Sequence, residues 1–282
     1  MLVDVVVHED GFVESSVPGA NSDSDMTLAP PSLSRDVPKI ECDLHRLRMQ
    51  RIEEYRQAVY IAPLAKPNLQ APDDKLFRLM DKVEEFLLGD GQVMLILGDS
   101  GAGKSTFNRY LEYELWLRYT YGDCVPLFIN LPTLERTEKE LVAEQLRSYD
   151  FSKEQIRELK QHRQLLLICD GYDESLLTSN IHTTNGLNRP GQWDVKLLIT
   201  CRTQYLGPDY RDRFVPKATD QYHSAANDLF QEAVIAPFSR DQIEMYVEKY
   251  VPLEPRTWIK EDYMEKLKKI PTSWIWSRTH FF

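Results

Sequence analysis

The chain has 282 residues, 42% of them apolar and 28% charged, which suits a folded core with extensions and excludes a chain disordered throughout. Its formal net charge of −10 argues against nucleic acid as a partner, because a phosphate backbone calls for a basic footprint. No apolar run is long enough to span a bilayer and Met1 to Val7 lacks a basic leader, while four cysteines without a CxxC pair fit a reducing, cytoplasmic setting.

Residues 1–39 are rich in Ser, Asp and Pro, a composition that cannot bury enough apolar surface to offset ordering entropy, and they read as a disordered tail. Residues 40–72 read as a helix followed by a proline-rich linker. Leu44, Leu47, Ile52, Tyr55 and Val59 recur at helical spacing, and Pro63, Pro67 and Pro72 then forbid continuation. A second helix is expected from Asp73 or Asp74 as N-cap, with Leu76, Met80, Val83 and Leu87 on one face and Gly89 as a left-handed terminator.

Strands and helices then alternate. Apolar runs at Val93–Leu97, Val125–Ile129, Leu165–Cys169, Leu197–Ile199 and Ala233–Ala236 read as strands. Helices are expected at Lys104–Tyr119 and Leu141–Leu146, and after Ser152, whose pairing with Gln155 forms a capping box. Continuous apolar strands alternating with helices imply a parallel sheet covered on both faces, so residues 73–238 read as one α/β domain. Ser239 with Gln242 caps a further helix, and residues 239–270 read as a partial helical subdomain. Residues 271–282 hold two Trp and two Phe with no period to bury them, and are expected to form an exposed aromatic tail.

Gly98-Asp99-Ser100-Gly101-Ala102-Gly103-Lys104-Ser105 fits G-x-x-x-x-G-K-[ST] at every specified position. Glycines let successive backbone N–H groups turn inward onto phosphate oxygens, Lys104 adds a cation, and the Ser105 hydroxyl can ligate Mg²⁺. The loop follows an apolar strand and opens a helix, whose N-terminal dipole favours anions. Asp170, at the end of the strand Leu165–Cys169, is then the acid that orients Mg²⁺. Asp173 and Glu174 stand close enough to position a water, with the choice between them open. Arg202, after Leu197–Ile199, could reach a γ-phosphate and report its presence. Cys169 and Cys201 read as small buried residues.

With a small residue after Asp170 and the acids Asp173 and Glu174 beyond, the strand ending Asp170-Gly171-Tyr172-Asp173-Glu174 resembles that of the NACHT family, and Thr200-Cys201-Arg202 resembles its sensor motif. NACHT proteins are STAND-class signalling ATPases. The resemblance runs from about Asp73 to Tyr250 and is to fungal multidomain members in particular. It implies a P-loop NTPase fold with a five-stranded parallel sheet, ATP or ADP as ligand with Mg²⁺, and a slow ATPase that switches and self-associates through its nucleotide-binding domain. By that resemblance Gly98 to Thr106 hold phosphates, Asp170 serves Mg²⁺, Asp173 or Glu174 is the hydrolytic acid and Arg202 the sensor. No N-K-x-D motif is present to read guanine. Family members continue into helical, winged-helix and repeat domains where this chain has residues 271–282, so it reads as a truncated product. The alternatives are a small-molecule kinase, with Arg202, Arg211 and Arg213 as a thin lid, and an inert remnant.

Overall fold

The computed structural model describes residues 39–55, 59–175, 177–217, 225–253 and 259–269. The readings for residues 1–38 and for the aromatic ending 271–282 lie outside them. In chain order the elements are α1 (Lys39–Glu54), β1 (Leu64–Lys66), β2 (Phe77–Arg78), α2 (Leu79–Leu88), β3 (Val93–Gly98), α3 (Lys104–Arg118), β4 (Val125–Asn130) and α4 (Leu141–Ser148). There follow α5 (Lys153–His162), β5 (Leu165–Asp170), α6 (Ile181–Thr184), β6 (Val195–Arg202), β7 (Phe230–Ile235), α7 (Arg240–Tyr250) and α8 (Lys260–Lys269).

The strands form one sheet in the order β2-β1-β7-β3-β6-β5-β4. The five strands from β7 to β4 are parallel, as expected. Along β3, Val93, Leu95 and Leu97 enter one apolar cluster and Met94 and Ile96 the other, so both faces are buried. The first cluster takes in Ile40, Leu44 and Leu47 of α1 together with α4 and α5; the second takes in Leu79, Val83 and Phe86 of α2 and Phe107 and Leu111 of α3. Among the described residues no helix is long and apolar enough to cross a membrane.

Three expectations are corrected. The sheet has seven strands, because Leu64–Lys66, in the segment read as a linker, pairs antiparallel with β7, and Phe77–Arg78 pairs antiparallel with it. Consequently α2 begins at Leu79, not at Asp73 or Asp74. The preceding residues spend their backbone groups on strand pairing, and Leu79 N–H finds Pro63 O at 3.1 Å. Leu76 is left exposed. Nor is Gly89 left-handed: its φ is −89°. The carbonyls of Phe86, Gly89 and Gly91 instead accept from Lys196 Nζ, each within 3.0 Å, so a lysine on β6 closes the end of α2.

Helix α1 is fastened by polar contacts as well as by its apolar stripe. Arg163, at the end of α5, pairs with Glu41, and both side chains are 8% exposed. Arg163 also donates to Tyr119 Oη at 2.6 Å and Asp123 O at 2.8 Å. Arg51 pairs with Glu112 of α3 at 2.7 Å. At the sheet margin β4 carries Pro126. Val125 N–H donates inward to Gln164 O at 2.9 Å, so the nitrogen of the next residue faces the open side, where a proline loses no ladder bond.

Candidate functional site

The phosphate-loop segment leaves β3 at Gly98 and enters α3 at Lys104. Gly101 and Gly103 have φ of 77° and 83°, a left-handed backbone that disfavours side chains. Gly98 is needed for space, since a Cβ there would stand 3.1 Å from Ala102 Cβ and 3.4 Å from Ile235 Cβ. Gly103 caps α3 without a side-chain bond and no acid occupies the first turn, so the opening N–H groups of the helix present a positive end. Ser105 is exposed in that turn. Lys104 Nζ donates to Gly98 O at 2.8 Å and Asp99 O at 2.9 Å. Burial holds its ammonium below the ordinary lysine value, with Asp173 acting in the opposite sense. The Asp99 carboxylate accepts from Thr203 Oγ1 at 2.7 Å, turning this acid towards the segment after β6.

Asp170 ends β5, 9% exposed. Both of its side-chain bonds end on Oδ1, from Thr200 Oγ1 at 2.7 Å and Asn108 Nδ2 at 2.8 Å. Gly171 follows with φ 74°, and a Cβ there would come within 3.2 Å of the Pro132 ring. That left-handed residue turns the chain into the short 3-10 helix Tyr172–Glu174.

Arg202 lies opposite Gly98 in the β3–β6 pairing. Its backbone N–H donates to Asp173 Oδ1 at 2.9 Å, its Nε pairs with Asp173 Oδ2 at 3.0 Å, and its Nη2 meets Glu174. Thus the residues singled out in the sequence meet at the carboxyl ends of β3, β6 and β5, three neighbouring strands, where open α/β sheets bind ligands. Arg211 and Arg213 do not join them. The first lies over Phe230 and 4.0 Å from Glu232, the second over Tyr205 and Phe214. Cys169 and Cys201 are fully buried, and burial pushes the Cys201 thiol up to about 12.

Beside the loop a cavity of about 160 Å³ is lined by Gly101, Ala102, Ile235, Pro237, Phe238 and Ile243. A larger open groove of about 920 Å³ lies between the segment after β4 and the turn after β5, against Leu131, Pro132 and Leu177. The phosphate loop does not line it, so size alone does not mark the site. Asn108 escaped sequence reading, although an asparagine in the inward stripe between Phe107 and Leu111 is a visible break in the apolar pattern.

A glycine loop at a helix start, an acid at the end of the next strand but one, and a doubly covered parallel sheet define a P-loop NTPase. The family model for the NACHT domain matches residues 92–254, and the chain belongs to that family of nucleotide-binding regulatory modules. A comparison with curated proteins finds no match.

Proposed function

We propose that the chain is a switch that binds ATP or ADP with Mg²⁺, hydrolyses ATP slowly, and acts in cytoplasmic signalling through self-association of its nucleotide domain. The observation that carries this reading is the meeting of the loop Gly98–Ser105, Asp170 and the Arg202–Asp173–Glu174 cluster at three adjacent strand ends. The residues fit the ligand. The left-handed loop and the uncapped α3 suit phosphates, and among the described residues Asp170 keeps Oδ2 free of donors. The apolar cavity suits a base. Bound magnesium would supply charge stabilisation at the phosphates.

Ser105 and Asp170 would hold the metal, and Gly98 to Thr106 with Lys104 the phosphates. Between the two acids, Asp173 spends both oxygens on Arg202 and is 6% exposed, whereas Glu174 is 54% exposed with one oxygen engaged. Glu174 is therefore the better water-positioning group, and Asp173 the better holder of Arg202. A γ-phosphate competes with these acids for the Arg202 guanidinium, which gives ATP and ADP different effects on one residue.

Thermal unfolding with and without nucleotide tests the assignment. Wild-type protein should gain about 2.7 kcal/mol at a ligand concentration of a hundred times Kd. Lys104→Ala should lose that gain with an unchanged ligand-free Tm. Full ATP stabilisation of Lys104→Ala would sink the site, and rapid phosphoryl transfer to an added acceptor would favour a kinase.

A further inference from the structure

Asn108 stands one turn beyond Lys104 on α3, between Phe107 and Leu111, and is fully buried. A helix stripe facing a sheet ordinarily carries apolar residues, and a buried amide lowers stability unless each of its polar atoms is matched. Here one is matched and one is not. Nδ2 donates to Asp170 Oδ1 at 2.8 Å and to Thr200 Oγ1 at 3.2 Å, while the buried Oδ1 has no hydrogen-bond partner among the described residues. A leucine, of the same branched shape though larger, would line the stripe without the orphaned acceptor, so apolar packing does not account for the asparagine.

The two donors act on one atom. Thr200 Oγ1 donates to the same Asp170 Oδ1 at 2.7 Å, from the strand next to β5. A carboxylate held on one oxygen from a helix on one side and a strand on the other cannot rotate without breaking both bonds. Its second oxygen receives no donor among the described residues and keeps one direction.

We propose that Asn108 is a positioning residue that, with Thr200, locks the Asp170 carboxylate so that Oδ2 alone is available to the divalent cation accompanying the nucleotide. The inference rests on the assignment of Asp170 to the metal given above. Groups that orient a metal-binding carboxylate typically control metal affinity by about ten- to a hundredfold. Ser105, the other residue assigned to the metal, lies in the exposed first turn of α3, so the fixed direction of Asp170 counts the more.

The test reads the Mg²⁺ concentration giving half of the ATP-dependent thermal shift, the same shift in EDTA, and the ligand-free Tm. For Asn108→Leu the half-effect Mg²⁺ concentration should rise about ten- to a hundredfold. The ligand-free Tm should change little, because removal of the orphaned acceptor offsets the lost donor to Asp170, and metal-free nucleotide binding should be unchanged. Thr200→Val should move the Mg²⁺ requirement in the same direction, and Thr200→Ser, which keeps the hydroxyl, should restore it; this pair decides the matter if Asn108→Leu does not fold. A wild-type Mg²⁺ requirement in Asn108→Leu, or a lowered ligand-free Tm without a change in that requirement, overturns the proposal and leaves Asn108 as structural glue. Absence of any nucleotide-dependent shift in the wild-type protein overturns the site reading and this proposal with it, an outcome distinct from a shift that ignores Asn108.

Discussion

Replacing Arg163 with alanine tests how firmly α1 belongs to the nucleotide domain, although α1 precedes the residues 92–254 that match the family. The substitution removes the cation facing Glu41, and with 8% exposure on each side chain the carboxylate is left in a site that water barely reaches. Among the described residues only Tyr119 Oη, at 3.3 Å, remains as a donor to it. Breaking a buried pair from one side costs about 3–5 kcal/mol. For a domain of this size each kcal/mol moves Tm by about 2–4 °C, so Arg163→Ala should unfold roughly 6–20 °C lower. Circular dichroism melting is the assay, with Arg118→Ala as control, since the Arg118–Glu84 pair is about half exposed on both sides and should matter little. Joint replacement of Glu41 and Arg163 by methionine should recover most of the loss, because it leaves no charge stranded. If Arg163→Ala melts like the Arg118→Ala control, the buried pair does not fasten α1 and the reasoning fails.

Glu174→Gln should slow ATP turnover and spare binding, whereas Asp173→Asn should chiefly disturb Arg202 and reduce the difference between ATP and ADP binding; equal turnover in Glu174→Gln and wild type refutes the division of roles. Gly171→Ala places a Cβ within 3.2 Å of Pro132 at φ 74° and should lower stability by at least about 1–2 kcal/mol in urea unfolding; an unchanged midpoint would show that the turn tolerates a side chain. His182 is buried beside Gln92, and burial, with Arg189 adding, holds its imidazole at about 4 against an ordinary 6.5. The unfolded chain therefore takes up a proton that the native state refuses, so stability is complete above 6.5 and is lost as pH falls towards 4. That loss is about 2 kcal/mol at pH 5, and His182→Gln should flatten it; parallel pH profiles for the two proteins would exclude this histidine as the cause.

Where the determinants are local, sequence reading reached them. The capping boxes at Ser152 and Ser239 form with Gln155 and Gln242, three residues on, and β3, β4 and β5 follow apolar runs, whereas Gln231 and Glu232 hid the start of β7 and β6 was read only in its middle. There only Leu197–Ile199 was legible of a strand running from Val195 to Arg202, because a lysine and a threonine interrupt the run. Lys196 is buried by spending its ammonium on carbonyls more than a hundred residues away, which no nearby pattern encodes. Strands β1 and β2, of three and two residues, exist only through pairing with distant partners, and the prolines around them suggested a linker. At the site the glycine loop and the acids carry their chemistry in consecutive residues. The bonds that orient Asp170 come from positions 62 residues earlier and 30 later, so they become visible only in the fold.

The margins of the sheet bear on how copies of this protein can meet. On one side the series ends in β2, a two-residue strand too short to template another chain. On the other, Pro126 puts a ring where an incoming strand would seek an N–H donor. Neither border invites continuous hydrogen-bonded growth, the route by which sheet proteins run on into insoluble fibres. The self-association proposed above would therefore have to use side-chain surfaces, contacts that a change of nucleotide could release.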